Sequence, residues 1–315
     1  MADFEKVDLH LHLDGSLSPR VIMKLAKEQG IDLGEGPLRE LISVNRDCTS
    51  LVEYLKRFDL PGRLLQTEDA LALATRDLIE RLKAQRLTYA EIRFAPQLHT
   101  LGGLTQEQSL LAVMRGVREA KAVGADLPIG VILCMLVTGE QGANQETAEL
   151  AKAYHRKGAD GLDLAGAEGA VPMEAFRDLF ALAYQADVPL TVHAGECGSY
   201  DNIATAISFG ARRIGHGCGA AASEDCMKLL EREHVVLEMC PTSNLQTKAV
   251  ASIEEHPIRA FFDRGIRVTV NTDNMTVSNT TLGEEYELLK ERLSFTDEEI
   301  AQMNQTARAA GFLGK

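Results

Sequence analysis

The sequence predicts an α/β protein of the (β/α)8 TIM-barrel class, and three observations lead to this prediction. Short apolar runs alternate with longer amphipathic stretches along the chain, as expected for parallel strands joined by crossover helices. Eight such units in 315 residues match the usual size of this barrel. No glycine-rich phosphate loop follows the first run, so the alternative, an open doubly wound sheet, lacks its usual functional signature.

The predicted strands are short apolar runs. They cover residues 7–13, 88–95, 129–135, 161–165, 188–193, 213–217, 235–240 and 267–271. Helical periodicity predicts helices between most of them, at residues 107–122, 144–156, 173–185, 223–233 and 258–264. Because no segment is of low complexity and no linker stands out, we predict a single domain over residues 1–315.

The longest gap lies between the first two strands and contains a further helical pattern. Leu51, Tyr54, Leu55 and Phe58 are spaced i, i+3, i+4 and i+7, so they form one apolar stripe. From this pattern alone, the favoured interpretation is an outer-ring helix that packs on the barrel. The alternative is a helical insert at the C-terminal mouth of the barrel, which acts as a lid over a ligand.

Charge and cysteine content exclude several classes of partner. The formal net charge of −13 argues against binding to nucleic-acid backbones and to anionic membranes, but not against an uncharged nucleoside. The six cysteines form no C-x-x-C pair, so we expect reduced thiols and a cytoplasmic location. The N-terminus lacks the pattern of a signal peptide, and no apolar run reaches the length of a membrane span.

The first strand contains two histidines one residue apart. Residues i and i+2 of a strand point to the same face, so His10 and His12 present two imidazoles side by side. Such a pair can supply two ligands of a metal site from one rigid element. For the pair alone, two polar residues that face water remain the favoured interpretation.

Polar residues also follow several strands at the end where barrel enzymes place their active sites. His193 and Glu196 follow the fifth predicted strand, His216 closes the sixth, and Asp273 follows the eighth. Each residue alone is typical of a hydrogen-bonded structural residue or a helix cap. Their coincidence at one rim with the histidine pair favours a functional site.

This combination of side chains is suited to one particular metal. His10, His12 and His193 offer three neutral nitrogens and Asp273 a carboxylate, a set that suits Zn²⁺ with one position open for water. Zinc lowers the pKa of bound water from ~16 to near 7. Glu196 is then a candidate proton donor to the substrate, and His216 a group that takes a proton from the water or orients it.

The other histidines do not belong to this rim. His155 follows a helical stretch, His234 precedes a strand at its N-terminal side, and His256 begins a helix. We predict structural roles for these three residues. His99, just beyond the second strand, receives no assignment.

Together the motifs resemble one family, the adenosine deaminases of the metal-dependent hydrolase superfamily. The resemblance extends in order from Lys6 to about Tyr286, and the set is far more specific than H-x-H, which many metal hydrolases share. The motifs are residues 6–17 (KVDLHLHLDGSL), 193–196 (HAGE), 213–217 (RIGHG), 240–244 (CPTSN) and 271–274 (NTDN).

The resemblance implies a zinc-dependent barrel that converts adenosine and 2′-deoxyadenosine to inosine and 2′-deoxyinosine and releases ammonia. It implies one zinc ion per chain, with four ligands: His10, His12, His193 and Asp273. Glu196 is implied to protonate purine N1, which makes C6 electrophilic. His216 and Asp273 are implied to orient and deprotonate the attacking water.

The resemblance also implies the substrate contacts. The backbone N–H of Gly166 is implied to contact the purine ring, and Asp14 the ribose. The apolar stripe of the long gap resembles the hydrophobic lid of the family. At Asn274 the chain departs from many members, which have a second acid there; an amide donates at every pH, so Asn274 is expected to keep the contact with purine N7.

The sequence also bears on four other functions. A two-metal hydrolase of the superfamily usually has a carboxylated lysine on strand four, and residues 161–166 contain no lysine. A deaminase of adenine or of another 6-aminopurine metabolite remains open. A non-catalytic nucleoside-binding protein is disfavoured because every implied ligand and the acid are present. The zinc deaminases that edit nucleic acids use H-x-E with P-C-x-x-C, and neither motif occurs.

Overall fold

A computed structural model describes residues 4–44, 48, 50–197 and 199–315. Each of the eight predicted strands overlaps a strand of the structure. The strands are β1 (Val7–His12), β2 (Tyr89–Phe94), β3 (Ile129–Leu136), β4 (Gly161–Ala165), β5 (Thr191–Ala194), β6 (Arg213–His216), β7 (Val236–Met239) and β8 (Arg267–Val270). The fifth begins later than predicted, since Pro189 has no N–H to donate to a ladder.

All neighbouring strands are parallel and pair in chain order. They form two four-stranded sheets, β1-β2-β3-β4 and β5-β6-β7-β8. A bridge between Leu162 and Leu190 joins β4 to β5, and a bridge between Leu11 and Asp273 joins β1 to the end of β8. The second junction has two backbone hydrogen bonds: His12 N–H donates to Asp273 O at 2.7 Å, and Asp273 N–H donates to His10 O at 2.8 Å. The sheet therefore closes as a (β/α)8 barrel, as predicted.

Helices follow the strands and cover the barrel. They are α1 (Pro19–Gln29), α2 (Leu38–Ile42), α3 (Leu51–Leu55), α4 (Asp59–Leu64), α5 (Glu68–Ala84), α6 (Gln106–Ala122), α7 (Gln141–Tyr154), α8 (Arg177–Tyr184), α9 (Tyr200–Ser208), α10 (Glu224–Glu233), α11 (Pro241–Gln246), α12 (Ile258–Arg264), α13 (Leu282–Leu293) and α14 (Asp297–Ala310). Side chains begin several of them: Thr67 caps α5, and capping boxes start α6 at Thr105 and α14 at Thr296. None of the described helices has the length and apolar character needed to cross a bilayer.

The gap after β1 is a run of short helices. The predicted apolar stripe lies on α3 and on the 3-10 turn Lys56–Phe58 that follows it. Tyr54 is buried, and its hydroxyl is 2.7 Å from Ser278 Oγ in the segment after β8. This bond attaches the insert to the same end of the barrel where the predicted site residues lie.

Candidate active site

The predicted site residues converge at the C-terminal end of the barrel. His12 Nε2 lies 3.2 Å from His193 Nε2 and 3.4 Å from Asp273 Oδ1, which is also 3.4 Å from His10 Nε2. The β1 alternation presents both first-strand histidines to this point. His193 reaches it from β5, and Asp273 follows β8 with a φ of +59°. The structure therefore brings together all four residues that sequence reasoning predicted as metal ligands.

His216 also belongs to this cluster. Ligand atoms of His10, His193, His216 and Asp273 all lie within 4.8 Å of one another, so distance alone admits His216 as a fifth donor. His216 ends β6 with a φ of +62°, a left-handed conformation that a histidine adopts at an energetic cost. Burial lowers the pKa of His12 and of His216 well below the usual histidine value, so both rings are neutral.

The chemistry of the cluster fits a transition metal. His10 Nε2 is buried and makes no hydrogen bond within the described part of the chain. A buried ring nitrogen without a partner is costly unless it binds a ligand. Three imidazoles and one carboxylate at this spacing form a donor set typical of zinc.

Carboxylates outside the cluster fix the orientation of two rings. His10 Nδ1 lies 2.9 Å from Glu238 Oε2, and His193 Nδ1 lies 3.0 Å from Asp163 Oδ2. A carboxylate accepts a hydrogen bond, so each ring carries a proton on Nδ1 and turns its Nε2 toward the cluster. Such partners of metal-binding histidines raise the basicity of the ligand nitrogen.

Two buried arginines compensate these carboxylates. Arg93 lies 2.8 Å from Asp163 and 2.7 Å from Glu238, and Arg213 donates from Nε to Glu238 at 2.5 Å. Burial alone would raise the pKa of Glu238, but the charges of Arg213 and Arg93 hold it well below its usual value. Sequence reasoning missed this network. Its signal was present, because fully buried charges inside apolar strands require partners.

Asp273 is ionised within the cluster. Burial alone would raise its pKa, but the neighbouring imidazoles, with His10 the largest contributor, bring the pKa far below its usual value. Ser243 Oγ donates to Asp273 Oδ2 at 2.6 Å, so the other oxygen, Oδ1, remains directed at the histidines. The carboxylate is thus fixed as an acceptor that faces the cluster.

Glu196 has the environment of a proton donor. Its side chain is buried, and its Oε2 is 3.8 Å from His216 Nε2. Burial, with a contribution from the charge of Asp273, raises the pKa of Glu196 to about 7. The loop that carries it is held by Glu168, which accepts from the N–H groups of Gly195 and Cys197 at 2.8 Å each. Sequence reasoning did not identify Glu168.

A cavity opens above this cluster. Its lining combines polar site residues with apolar side chains from the insert and from strands two to four. The lining residues are His12, Asp14, Leu51, Tyr54, Leu55, Phe58, Ala95, Leu98, Cys134, Leu136, Ala165, Gly166, His193, Glu196, His216, Asp273 and Asn274. The predicted stripe therefore faces the cavity; its action as a lid stays a prediction.

The predicted substrate contacts lie in the cavity wall. Burial raises the pKa of Asp14 to about 6. Gly166 has a φ of +101°, a conformation that glycine adopts readily, and it lines the cavity with its backbone because it has no side chain. Asn274 packs so closely on Gly15 that a Cβ there would lie 1.8 Å from Asn274 Oδ1. That oxygen is buried and has no hydrogen-bond partner among the described residues.

The remaining histidines lie outside the cavity lining. His234 is exposed at the end of α10, and His155 follows α7. His99 is buried beside Phe94, with ring centroids 5.9 Å apart. His256 is also buried, but its Nε2 lies 3.1 Å from Asn244 Oδ1, which links it to the site.

A larger cavity of about 810 Å³ lies at the opposite end of the barrel. It is lined by the residues at which β6, β7 and β8 begin, among them Arg213, Val236 and Arg267. None of the predicted site residues contributes to it. In this fold the N-terminal face carries stability rather than catalysis, so we place the chemistry at the smaller cavity.

A family model described as adenosine deaminase matches residues 5–315. The chain belongs to the adenosine deaminase family. An adenosine deaminase from Haemophilus ducreyi is 46% identical over 320 residues, which cover 99% of this chain and 93% of that relative. Membership in the family confirms the resemblance inferred from the motifs.

Solved structures give the same architecture. An adenine deaminase from Arthrobacter aurescens superposes with a TM-score of 0.89 at 27% identity, covering 98% of this chain and 94% of its own. An amidohydrolase from Burkholderia ambifaria, whose crystal structure contains bound Zn, has a TM-score of 0.88 at 21% identity, covering 98% of this chain and 86% of its own. At 21% identity, the similarity to this amidohydrolase supports the fold only.

Proposed function

We propose that this protein catalyses the hydrolytic deamination of adenosine and 2′-deoxyadenosine to inosine and 2′-deoxyinosine, with release of ammonia. The observation that carries the proposal is the position of a buried acid, Glu196, in the same cavity as a cluster of three histidines and Asp273. The 46% identity to an adenosine deaminase of nearly equal length supports the choice of substrate.

We assign one Zn²⁺ per chain to His10, His12, His193 and Asp273. Three of these residues have their orientation fixed by Glu238, Asp163 and Ser243, whose bonds leave a donor atom directed at the cluster. When bound, zinc supplies a Lewis acid and hydroxide at neutral pH. His10 Nε2, which is buried and has no hydrogen-bond partner among the described residues, is the nitrogen that this ring offers to the ion.

Glu196 acts in this proposal as the general acid. With a pKa of about 7 it is protonated in a large fraction of molecules at neutral pH, whereas an ordinary glutamate would be ionised. Transfer of its proton to purine N1 draws electron density from C6 and prepares that carbon for addition of water. Glu168 positions the loop for this transfer.

The substrate is held by groups that surround the cavity. We assign Asn274 as a donor to purine N7, the Gly166 N–H as a contact of the purine ring, and Asp14 as the acceptor for ribose hydroxyls. The stripe of Leu51, Tyr54, Leu55 and Phe58 is assigned to the apolar face of the nucleoside and to its closure from water; these side chains line the same cavity.

A second candidate is deamination of adenine or of another 6-aminopurine. It is favoured by the similarity to an adenine deaminase at a TM-score of 0.89 and by Asn274, where many members have an acid. Asp14 distinguishes the two, because a free base offers no ribose to a carboxylate in the cavity wall. We expect a small-molecule substrate, and we retain the cytoplasmic location as a prediction.

The decisive experiment is a spectrophotometric deamination panel with adenosine, 2′-deoxyadenosine, adenine and larger 6-aminopurine derivatives. We expect the highest kcat/KM for the two nucleosides and loss of activity with a chelator. Full activity after verified metal removal would contradict the proposed chemistry. Turnover of adenine alone would replace the first candidate by the second.

A further inference from the structure

A chain of hydrogen bonds leads from His216 away from the cavity to a residue predicted to be structural. Asn244 Nδ2 lies 2.9 Å from His216 Nδ1, and Asn244 Oδ1 lies 3.1 Å from His256 Nε2. The side chains of all three residues are buried. These hydrogen bonds connect the end of β6, the helix α11 and His256, which lies two residues before α12.

Backbone donors fix the direction of every bond in this chain. Ile258 N–H donates to His256 Nδ1 at 3.3 Å, so the proton of the neutral His256 ring is on Nε2 and is donated to Asn244. Burial lowers the pKa of His256 to about 3, which keeps the ring neutral. Cys240 N–H also donates to Asn244 Oδ1, at 3.3 Å.

The amide of Asn244 has therefore only one acceptable orientation. Its oxygen receives two N–H donors, and reversing the amide would place N–H groups against both. The Nδ2 group must then donate to His216 Nδ1, which has to accept. In a neutral ring whose Nδ1 accepts, the proton is on Nε2.

His216 thus differs from the two rings that carboxylates orient. His10 and His193 donate from Nδ1 and present a lone pair on Nε2, as a metal ligand requires. His216 presents an N–H from Nε2 instead, on the side where Glu196 lies 3.8 Å away. The outer partners of these three rings therefore separate two metal ligands, His10 and His193, from one hydrogen-bond donor, His216.

We propose that Asn244 and His256 are positioning residues that hold His216 as the Nε2–H tautomer, so that His216 donates a hydrogen bond into the active site and neither binds the metal nor accepts a proton. This inference rests on the proposed function for its catalytic meaning: the donated bond orients the oxygen that adds to purine C6. Of the two roles open to His216 from sequence, the structure favours orientation.

The test reverses the tautomer without changing the size of the side chain. In Asn244→Asp, the carboxylate still accepts from Cys240 N–H and His256, but it also accepts from His216 Nδ1. We expect the ¹⁵N signals of His216 in zinc-loaded, ¹⁵N-histidine-labelled enzyme to change from the Nε2–H to the Nδ1–H pattern. These signals are assigned by their loss in His216→Asn.

The same variant separates positioning from binding in its kinetics. We expect kcat for adenosine to fall at least ~10²-fold with KM within about threefold of wild type, because a catalytic imidazole in the wrong tautomer loses up to about 10⁴-fold in turnover. A purely structural role would lower the melting temperature and leave the tautomer of His216 unchanged.

A pair of variants at His256 tests the far end of the chain. His256→Leu removes the donor, and we expect kcat to fall about tenfold with mixed tautomers at His216. His256→Gln restores an N–H near the position of Nε2 and is expected to recover kcat to within about threefold. If Asn244→Asp does not fold, the comparison of His256→Leu with His256→Gln still tests the proposal.

His234→Asn is the matched control, because His234 is exposed, lies in the left-handed region that asparagine tolerates, and contacts no site residue that the structure describes. Its kcat and the signals of His216 should be those of wild type. An Nδ1–H tautomer in the wild-type enzyme, or equal losses in both His256 variants, would overturn the proposal. Since the tautomer is read without turnover, absence of deaminase activity would overturn the proposed function alone.

Discussion

At the scale of single residues, the outer partners of the site histidines matter as much as the histidines themselves. Glu238 and Asp163 accept from Nδ1 of His10 and His193, so each ring presents its other nitrogen to the cluster. Loss of such a partner typically costs 10–100-fold in metal affinity or activity. Arg93, buried between these two carboxylates, and Arg213, beside Glu238, compensate their charge in the barrel interior.

Glu196→Gln tests the general acid. The substitution keeps the shape of the side chain but removes its transferable proton, so we expect kcat for adenosine to fall at least ~10²-fold. Steady-state kinetics with zinc-saturated protein measures the effect. Gln145→Glu, an exposed change on α7, serves as the control. Turnover close to that of wild type would remove Glu196 from the mechanism.

Asn274→Leu tests the contact with the purine. An apolar side chain leaves N7 without a donor in a buried site, which costs roughly 1–3 kcal/mol in kcat/KM. We expect Asn274→Asp, which introduces the residue found in many family members, to lose much less. The measurement is kcat/KM for adenosine at constant pH, and equal values for wild type and Asn274→Leu would contradict the assignment.

At the scale of elements, one buried acid connects two helices beside the site. Glu285 of α13 accepts from Thr242 N–H in the first turn of α11 at 3.1 Å and from Thr280 Oγ at 2.6 Å. Burial raises its pKa from 4.5 to about 7. The folded protein therefore holds this proton more tightly than the unfolded chain does. The stabilisation that this protonated carboxyl group contributes is complete below pH 4.5, the pKa of the group in the unfolded chain. It is lost as the pH rises through about 7, the pKa in the folded protein.

Glu285→Gln makes this pH dependence measurable. The amide does not titrate, so the variant does not lose this stabilisation as the pH rises. The free energy of unfolding of the variant, relative to that of wild type, should therefore rise by about 3 kcal/mol between pH 4.5 and 8. Urea unfolding at a series of pH values measures it. Glu291→Gln, exposed on the same helix, should follow wild type throughout. Parallel curves for Glu285→Gln and wild type would show that Glu285 does not carry this proton.

At the scale of the whole molecule, metal removal should affect both activity and stability. A ligand that binds only the folded state stabilises it by about 4 kcal/mol when its free concentration is 1,000 times Kd. We expect the chelated protein to lose deaminase activity and to melt at a lower temperature, and zinc to restore both. Calorimetry of stripped and reloaded protein measures the shift. An unchanged melting temperature would argue against a metal held by four side chains.

The parts of the fold and site that could be predicted follow from local rules. The side-chain alternation of a strand places His10 beside His12, and barrel topology places His193 and Asp273 at the same rim. Glu238 was missed because a charge within an apolar run does not reveal its partner. The strand boundaries shifted by a few residues, since backbone pairing rather than hydrophobicity ends a ladder.

Longer connections depend on turns that no periodicity encodes. His256 was predicted to be structural because it begins a helix, yet α11 turns Asn244 so that it links His256 to His216. The missing information is the path of a loop, which follows from the packing of the whole barrel.

The junction between the first and last strands has a further consequence. His10, His12 and Asp273, which close the barrel through their backbones, are the same residues whose side chains form the cluster. A bound ion would therefore also crosslink the first strand to the end of the last strand and so stabilise the closure of the barrel. Stripped of it, the barrel should open first at its own active site, and the amide hydrogens of His12 and Asp273 should be among the earliest strand amides to exchange with solvent.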